Sequence, residues 1–353
     1  MAAPPPSPTR SAFPSLLLIA VIVGASAVAF AYTAGWLSPG RLTPNKVVDA
    51  FAPPGGPALG HRRNHAKGIC FTGVFEASGA GSALSKATVF LHGQYPIVGR
   101  FNLASPNLNA PDATVRVRGM GLQITTPDGQ MWRSAMIDAP FFPVSTPQAL
   151  YGMLVASGSK DPDAMKGFVA AHAEFATFVA WAQSAPWTGS YAEERYNSLN
   201  SFTFTNASGA TSIVRWSLLP AAQPVPVQPD ELAKGGPDAL EQEITQRVKK
   251  SGPLQWAMVL TIASPDDPTA DPSKAWAQDR RTLQVGTLVV QQIEPEQDGP
   301  CRDINYDPTV LPSGIGTSDD PFPAARSSAY RRSYDLRTAE EKDYPHTAAE
   351  AKP

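Results

Sequence analysis

An uncharged apolar segment near the N-terminus constrains the folding of this chain more than any other feature. It runs from Leu16 to Trp36 as LLLIAVIVGASAVAFAYTAGW, 21 residues without a charged side chain. A helix rises about 1.5 Å per residue, so a helix of this length matches a hydrocarbon layer of about 30 Å. The sequence therefore predicts one membrane-spanning helix over residues 16–36, preceded by a short tail (1–15).

A cleavable signal peptide is the alternative, because residues 29–31 (AFA) resemble a small-x-small cleavage site. The apolar run exceeds the roughly 7 to 15 residues of such peptides, which favours a retained anchor. Arg10 before the run and Arg41 after it give opposing indications of orientation. Because a short tail kept inside is the commoner bacterial arrangement, we expect an inner-membrane protein with a single span, whose main domain lies in the periplasm.

Composition excludes several classes of protein. The 29 Lys and Arg nearly balance 31 Asp and Glu, so there is no electrostatic reason to expect nucleic acid as a partner. Two cysteines exclude a disulfide scaffold and a Cys-rich metal site. Proline makes up 36 of 353 residues. Since proline neither donates to a sheet nor continues a helix, much of the chain must lie in turns and connections.

The pattern of apolar residues predicts an α+β fold. Residues 37–56 indicate a linker around a short helix. Partial alternation of β-branched and aromatic residues predicts about eight antiparallel strands in a closed or strongly curved sheet. The segments with this pattern are ICFTGVFEAS, ATVFLHG, IVGRFNLA, GLQITTPDGQMWRSAMID, SFTFTNASGATSIVRWSLLP, LQWAMVLTIAS and TLQVGTLVVQQIEP.

Helices are expected between these strands. One apolar stripe, at i, i+4, i+7, i+11 and i+14, predicts a helix within residues 147–200. The stripe consists of Phe168, His172, Phe175, Val179 and Ala182. ALEQEITQRVKK predicts another helix. The segment after residue 295 is rich in Pro, Gly and Asp, and we interpret it as a strap packed over the body.

The last predicted helix follows Pro321 and carries chemistry on one face. Arg326, Tyr330, Tyr334 and Arg337 lie at i, i+4, i+8 and i+11. An Arg one turn from a Tyr favours the phenolate, and a tyrosinate is a rare ligand known mainly for ferric heme. The same pattern also fits an amphipathic helix whose Tyr and Arg side chains simply pack at the surface.

A basic loop precedes the first strand, and together with this helix it is informative. It reads RRNHAKG from Arg62 to Gly68, so a histidine that could act as acid or base stands among cations that could hold an anion. Other motifs follow in a fixed order. They are Arg100-Phe101, Val115-Arg116-Val117-Arg118-Gly119, Asp128-Gly129, Pro140-Phe141-Phe142, Val285-Gly286-Thr287-Leu288, Tyr306-Asp307-Pro308, Pro312-x-Gly314-Ile315 and Arg326-x-x-x-Tyr330.

In this order the motifs resemble those of the catalase superfamily, specifically the small catalase-related peroxidases. The resemblance covers about residues 57–338, which we take as the heme domain, followed by a flexible tail (339–353). It implies an eight-stranded antiparallel β-barrel with inserted helices and a wrapping segment. The implied cofactor is heme b, with Tyr330 as the proximal iron ligand and His65 as the distal acid and base.

The resemblance also assigns cofactor-binding arginines. Arg326 would keep the tyrosine anionic, and Arg62, Arg100 and Arg337 match positions that bind the heme propionates. No NADPH is expected, because the chain ends soon after Tyr330. A monomer or small homo-oligomer is expected.

Several positions depart from the family pattern. Asp138 replaces the distal Asn that donates to bound peroxide, and an ionised Asp is only an acceptor. We expect Asp138 to be catalytic, either as a protonated donor or as a second proton acceptor. Asn64 precedes the distal His where an apolar residue is usual, Asn102 replaces a Ser, and Tyr334 replaces a His.

These departures favour a heme peroxidase that reduces hydrogen peroxide, or organic peroxides, with an organic electron donor and with weak or no catalase activity. The alternatives are a heme enzyme that metabolises fatty-acid hydroperoxides and a non-enzymatic heme carrier or sensor. Cys70 and Cys301 could form a disulfide outside the cytoplasm, and the sequence leaves this open.

Overall fold

The computed structural model describes residues 13–34, 36–38 and 40–347, and its chain divides into two compact units, Met1–Thr43 and Pro44–Pro353. Most of the predicted tail 1–15, and the end of the predicted tail 339–353, lie outside the described residues. Within the first unit, helix α1 spans Phe13–Thr33. It is the one helix of the described chain that is long and apolar enough to cross a membrane, a test that a signal sequence also passes.

The second unit is built from a β-barrel with helices inserted between its strands. The helices are α2 (Pro44–Ala50), α3 (Pro147–Ser157), α4 (Ala164–Ala171), α5 (Glu174–Ser184), α6 (Pro229–Lys234), α7 (Ala239–Ser251) and α8 (Phe322–Ala339). The strands are β1 (Gly68–Ala77), β2 (Gly93–Leu103), β3 (Arg118–Thr125), β4 (Met131–Ile137), β5 (Trp187–Thr188), β6 (Tyr196–Asn197), β7 (Phe202–Thr205), β8 (Thr211–Pro220), β9 (Pro226–Val227), β10 (Leu254–Ile262), β11 (Thr282–Glu294) and β12 (Ile315–Thr317).

Eight antiparallel strands close the barrel, which confirms the predicted fold. Their order is β10, β11, β1, β2, β3, β4, β6 and β8, and β8 pairs back with β10. Along β4 and β10, buried residues alternate with more exposed ones, so the two faces of each strand separate as a pleated strand requires. Trp132, Trp256 and Met258 are buried at these alternate positions and belong to the main core cluster.

The structure corrects two of the predicted elements. ATVFLHG is not a strand, because Thr88–Phe90 forms a short 3₁₀ helix before β2 begins at Gly93. The apolar stripe through His172 does not form one helix. Instead α4 ends at Ala171 and α5 begins at Glu174, with the backbone of His172 outside the helical region (φ −129°, ψ 78°).

Two boundary segments pack on the body rather than extend from it. Helix α2, within the predicted linker, contacts α8 and α3. At the C-terminal end, the Tyr344 ring stacks on His61 with ring centroids 3.9 Å apart, and Glu340 forms an ion pair with Arg63. The described part of the predicted flexible tail is therefore attached to the folded unit.

The strap over residues 296–321 is fixed at both ends. Cys301 near its start forms a disulfide with Cys70 of β1, with the Cα atoms 5.3 Å apart. At its end, the Asp320 carboxylate accepts hydrogen bonds from the Phe322 amide and from the Asn200 side chain, both at 2.9 Å. These bonds hold the strap to the body just before α8.

Candidate active site

A cavity of about 820 Å³ lies in the second unit. Residues of α2, α3, α5, α8, β2, β3, β4 and the loop before β1 line it. Six of the seven predicted site residues are among them. These are Arg62, His65, Arg100, Arg326, Tyr330 and Arg337. The fold thus brings together side chains that are up to 275 positions apart, from 62 to 337.

His65 is held in one orientation and one tautomer. Its backbone is left-handed (φ 54°), which is uncommon for a residue with a side chain. The Asn102 amide nitrogen donates to the Arg100 carbonyl at 3.3 Å, so its oxygen faces His65 Nδ1 at 2.6 Å. An amide oxygen only accepts, and therefore Nδ1 carries the hydrogen and Nε2 is left as an acceptor.

The charge state of His65 follows from its burial. Burial in the cavity wall lowers the pKa of His65 to about 4, with the Asn102 hydrogen bond opposing and the neighbouring Arg100 assisting. The ring is therefore neutral at physiological pH. A neutral imidazole with a free Nε2 can accept a proton, which is the requirement for a general base.

Asn102 needs a glycine opposite it. Asn102 of β2 pairs with Gly119 of β3, and a side chain at position 119 would collide with the Asn102 amide oxygen. The departure of Asn102 from the family pattern is thus accommodated by Gly119, and His65 keeps a hydrogen-bond acceptor.

Arg62 and Arg100 share one buried carboxylate, which the sequence analysis did not anticipate. Arg100 donates to Glu296 from Nη2 at 2.6 Å and from Nε at 2.8 Å, and Arg62 forms an ion pair with the same group. Burial alone would raise the pKa of Glu296, but Arg100 and Arg62 outweigh it, so the pKa lies below its ordinary value. Glu296 stands in an irregular loop with no motif, so no sequence signal pointed to it.

Arg337 has no carboxylate partner within the described residues. Its side chain donates to the backbone carbonyls of Arg302 and Ile304. Burial, together with repulsion from Arg62, lowers the pKa of Arg337 to about 9. Three arginines of the wall and the Glu296 behind them form a cluster with a net charge of about +2, and a buried excess of positive charge favours an anion.

Tyr330 lines the cavity from α8 and is contacted by Arg326 on the same helix face. Arg326 Nη2 lies 3.2 Å from the Tyr330 hydroxyl oxygen and donates to it. The Asn200 side chain and the Ala135 carbonyl accept the other guanidinium hydrogen bonds, at 2.6 and 2.8 Å. Arg326 is therefore fixed in position, with one donor directed at the phenolic oxygen.

The structure does not place Asp138 with the other predicted residues. Asp138 is not among the residues that line the cavity, and its carboxylate pairs with Arg116 at 2.7 Å and accepts from the Arg118 amide at 3.1 Å. Burial and the nearby Glu194 raise the pKa of Asp138 well above its ordinary value. Arg116 and the Arg118 amide thus engage the Asp138 carboxylate, and a catalytic role for Asp138 stays a prediction.

The strap carbonyls hold two of the arginines. Arg62 Nη2 donates to the carbonyls of Cys301, Arg302 and Ile304 at 3.0 to 3.1 Å, and Arg337 uses two of the same three groups. The Cys70–Cys301 disulfide, which the sequence left open, anchors this stretch to β1. It therefore helps to set the positions of Arg62 and Arg337.

Replacing Glu296 with Gln is expected to destabilise the protein. Removing one partner of a buried ion pair costs about 3 to 5 kcal/mol, because the remaining charges stay buried without compensation. Urea unfolding of the Glu296→Gln variant measures the effect. Glu231→Gln is the control, since Glu231 is exposed and pairs with Lys234 at the surface, a contact worth about 1 kcal/mol or less. Equal losses in the two variants would contradict a buried charge cluster.

An eight-stranded antiparallel barrel of this topology is the fold of the catalases. The structure aligns with a bacterial catalase at a TM-score of 0.70 and 22% identity, covering 81% of this chain and 59% of that one. A catalase A from Saccharomyces cerevisiae aligns at a TM-score of 0.69 and 17% identity, with 78% of this chain and 61% of that chain covered. The matched region thus spans about three fifths of these solved catalases.

Sequence comparison gives the family. Residues 57–343 match the family model described as Catalase. A catalase-related peroxidase of Synechococcus elongatus is 33% identical over 330 residues, which cover 92% of this chain and 95% of that protein. A catalase-related peroxidase of Mycolicibacterium paratuberculosis is 31% identical over 302 residues, which cover 85% of this chain and 96% of that protein. The chain belongs to the catalase family, whose members generally bind heme.

Proposed function

We propose that this protein is a heme peroxidase, which reduces hydrogen peroxide to water with electrons from an organic donor and releases little or no oxygen. The observation that carries the proposal is the cavity itself. It places a neutral, oriented histidine, a tyrosine contacted by an arginine, and a wall with a net charge of about +2 around one space. Its relatives named catalase-related peroxidase support the same activity.

The residues of the cavity fit heme b. Heme offers an apolar ring, a metal ion and two carboxylates, and the unbalanced charge of Arg62, Arg100, Arg337 and Glu296 equals that of two propionates in magnitude. These three arginines would hold the propionates. Tyr330 would be the iron ligand, and Arg326 would stabilise its anionic form through the donor at 3.2 Å.

Heme, when bound, supplies the redox chemistry that breaks the O–O bond. His65 would move the proton. Its Nε2 accepts a proton from one oxygen of hydrogen peroxide and returns it to the other, which leaves as water. Two electrons and two protons from the donor then complete the reduction to a second water. Asn102 keeps Nε2 directed at the cavity throughout, because it holds Nδ1.

Peroxidase turnover is expected to exceed dismutation because the surroundings of His65 differ from the catalase pattern. Asp138 pairs with Arg116, and Asn64 and Asn102 flank the histidine. The test is to measure oxygen release and oxidation of an organic reductant on one heme-loaded sample. Rapid oxygen release with negligible oxidation of the reductant would contradict the proposal.

Replacing His65 with Ala is expected to lower kcat/KM for hydrogen peroxide by at least about a hundredfold, the usual contribution of a general base. In the native protein, kcat/KM should fall on the acidic side near pH 4, because burial lowers the pKa of His65 to about 4 and the ring stays neutral above that value. A His65→Ala variant that keeps full function would favour the alternative of a non-enzymatic heme carrier or sensor.

The apolar walls of the cavity favour a second candidate substrate class. Leu150 and Met153 of α3 and Phe175 and Phe178 of α5 line the space, which suits the chain of an organic hydroperoxide. Metabolism of fatty-acid hydroperoxides is therefore the second candidate function. Product analysis after incubation with a lipid hydroperoxide separates its rearrangement from simple reduction to the alcohol.

We propose a periplasmic location for the domain, with α1 as its inner-membrane anchor. The length and composition of α1 support the anchor, and the Cys70–Cys301 disulfide supports an oxidising compartment. Fractionation of cells expressing the full chain tests both. Recovery of the protein in the soluble periplasmic fraction, shortened at its N-terminus, would favour a cleaved signal peptide.

A further inference from the structure

The wall that carries His65 contains an amide group without a hydrogen-bond partner. Asn64 lines the cavity directly before His65, and no hydrogen bond of its side chain is found within the described residues. Peroxide that gives a proton to His65 Nε2 exposes an oxygen with developing negative charge, and a neutral donor directed at this oxygen stabilises it. Asp138 does not line the cavity and its carboxylate accepts from Arg116 and the Arg118 amide, so it is not placed to be that donor.

Two other side-chain amides that line the cavity, Asn102 and Asn197, already have partners. Asn102 contacts His65 with its oxygen and the Arg100 carbonyl with its nitrogen. The Asn197 amide donates to the Asp138 and Ala139 carbonyls at 3.3 and 3.0 Å. Among these three amides of the described chain, Asn64 is thus the one whose side chain has no hydrogen-bond partner.

Three other amide or phenol groups that line the cavity belong to different parts of its wall. Asn305 and Tyr306 lie in the strap, next to the Ile304 carbonyl that holds Arg62 and Arg337. Tyr334 lies one turn beyond Tyr330 on α8, with Arg337 over its ring at 4.9 Å. These groups therefore lie beside the arginines and the proposed iron ligand, and not on the wall that carries His65.

We propose that Asn64 is a further catalytic residue, which donates a hydrogen bond from its amide to the peroxide held at His65. It thereby replaces the donor that position 138 does not supply. The inference rests on the proposed heme peroxidase function and adds a residue to it. Since Asn64 precedes a residue with a left-handed backbone, the turn at His65 allows both side chains to face the same space.

The test compares Asn64→Val, Asn64→Asp and Asn64→Gln on heme-loaded full-length protein. Val removes the amide, Asp keeps the size but loses the donor when ionised, and Gln keeps the donor. We expect Val and Asp to lower kcat/KM for hydrogen peroxide by about tenfold or more, as loss of one hydrogen bond predicts, and Gln to restore part of it. The control is Asn109→Val, which changes an exposed amide outside the cavity.

Cyanide binding supplies a readout independent of turnover. A titration followed by the heme absorption band should give a Kd for cyanide that rises several-fold in Asn64→Val, since the bound ligand loses the same donor, and stays at the native value in Asn109→Val. Native protein that binds heme, with kcat/KM and Kd unchanged by Asn64→Val, would overturn this inference alone. Native protein that binds no heme would overturn the proposed function and this inference with it.

Discussion

Replacing Tyr330 with Phe is expected to abolish stable heme binding. Phe has the same ring but no oxygen to coordinate a metal, and the Arg326 donor at 3.2 Å from that oxygen would lose its acceptor. The loss of the coordinating oxygen and the loss of the Arg326 hydrogen bond both affect the side of the cavity formed by α8. The measurement is heme retained after gel filtration, together with the absorption spectrum of the ferric protein.

Tyr334→Phe is the matched control for this experiment. Tyr334 is on the same helix, lines the same cavity, and contacts Arg337 through its ring, which Phe retains. We expect Tyr334→Phe to keep heme and Tyr330→Phe to lose it. The reverse result would make Tyr334 the ligand, and retention of heme with an unchanged spectrum in both variants would show that neither tyrosine coordinates the iron.

Removing the Cys70–Cys301 disulfide is expected to cost up to about 5 kcal/mol of the free energy of unfolding, because the bond closes a loop of 231 residues in the unfolded chain. The disulfide also acts in the folded protein, where it holds the strap against β1. The Cys301 and Arg302 carbonyls accept from Arg62, so release of the strap should also weaken heme binding. Urea unfolding and heme titration of the Cys70→Ser/Cys301→Ser double variant measure the two effects.

A reducing agent serves as the control for this variant. It should lower the unfolding midpoint of the native protein toward that of the double variant, and it should leave the double variant unchanged. Identical midpoints for the native protein and the double variant in the absence of reductant would contradict a stabilising role for the bond.

The barrel was predictable because apolar residues recur at every second position along its strands, as a pleated strand requires. Trp132 and Met136 in β4, and Trp256 and Met258 in β10, alternate with less buried residues, and turn residues mark the strand ends. The break between α4 and α5 was not predictable. The apolar stripe keeps a helical period across His172, so the pattern is the same for one helix and for two.

The residues of the candidate site were predictable where they belong to a sequence motif. They were not predictable where their placement depends on a tertiary contact. His65, Tyr330 and the arginines came from ordered motifs, and the structure places them around one cavity. The direction of the Asp138 carboxylate depends on Arg116, which is distant in sequence by 22 positions. Glu296 meets Arg100 because β11 and β2 flank β1, where Cys70 pairs with both Glu294 and Arg100. Such pairings follow from the tertiary structure and leave no local signal.

The position of α8 in the chain has a consequence for biogenesis. This helix begins at Phe322 of 353 residues, yet it contributes Arg326, Tyr330 and Arg337 to the cavity. A polypeptide whose synthesis stops before α8 can complete all eight strands of the barrel and still lack the proposed iron ligand. Cofactor binding would then distinguish complete molecules from truncated ones that contain every strand of the barrel.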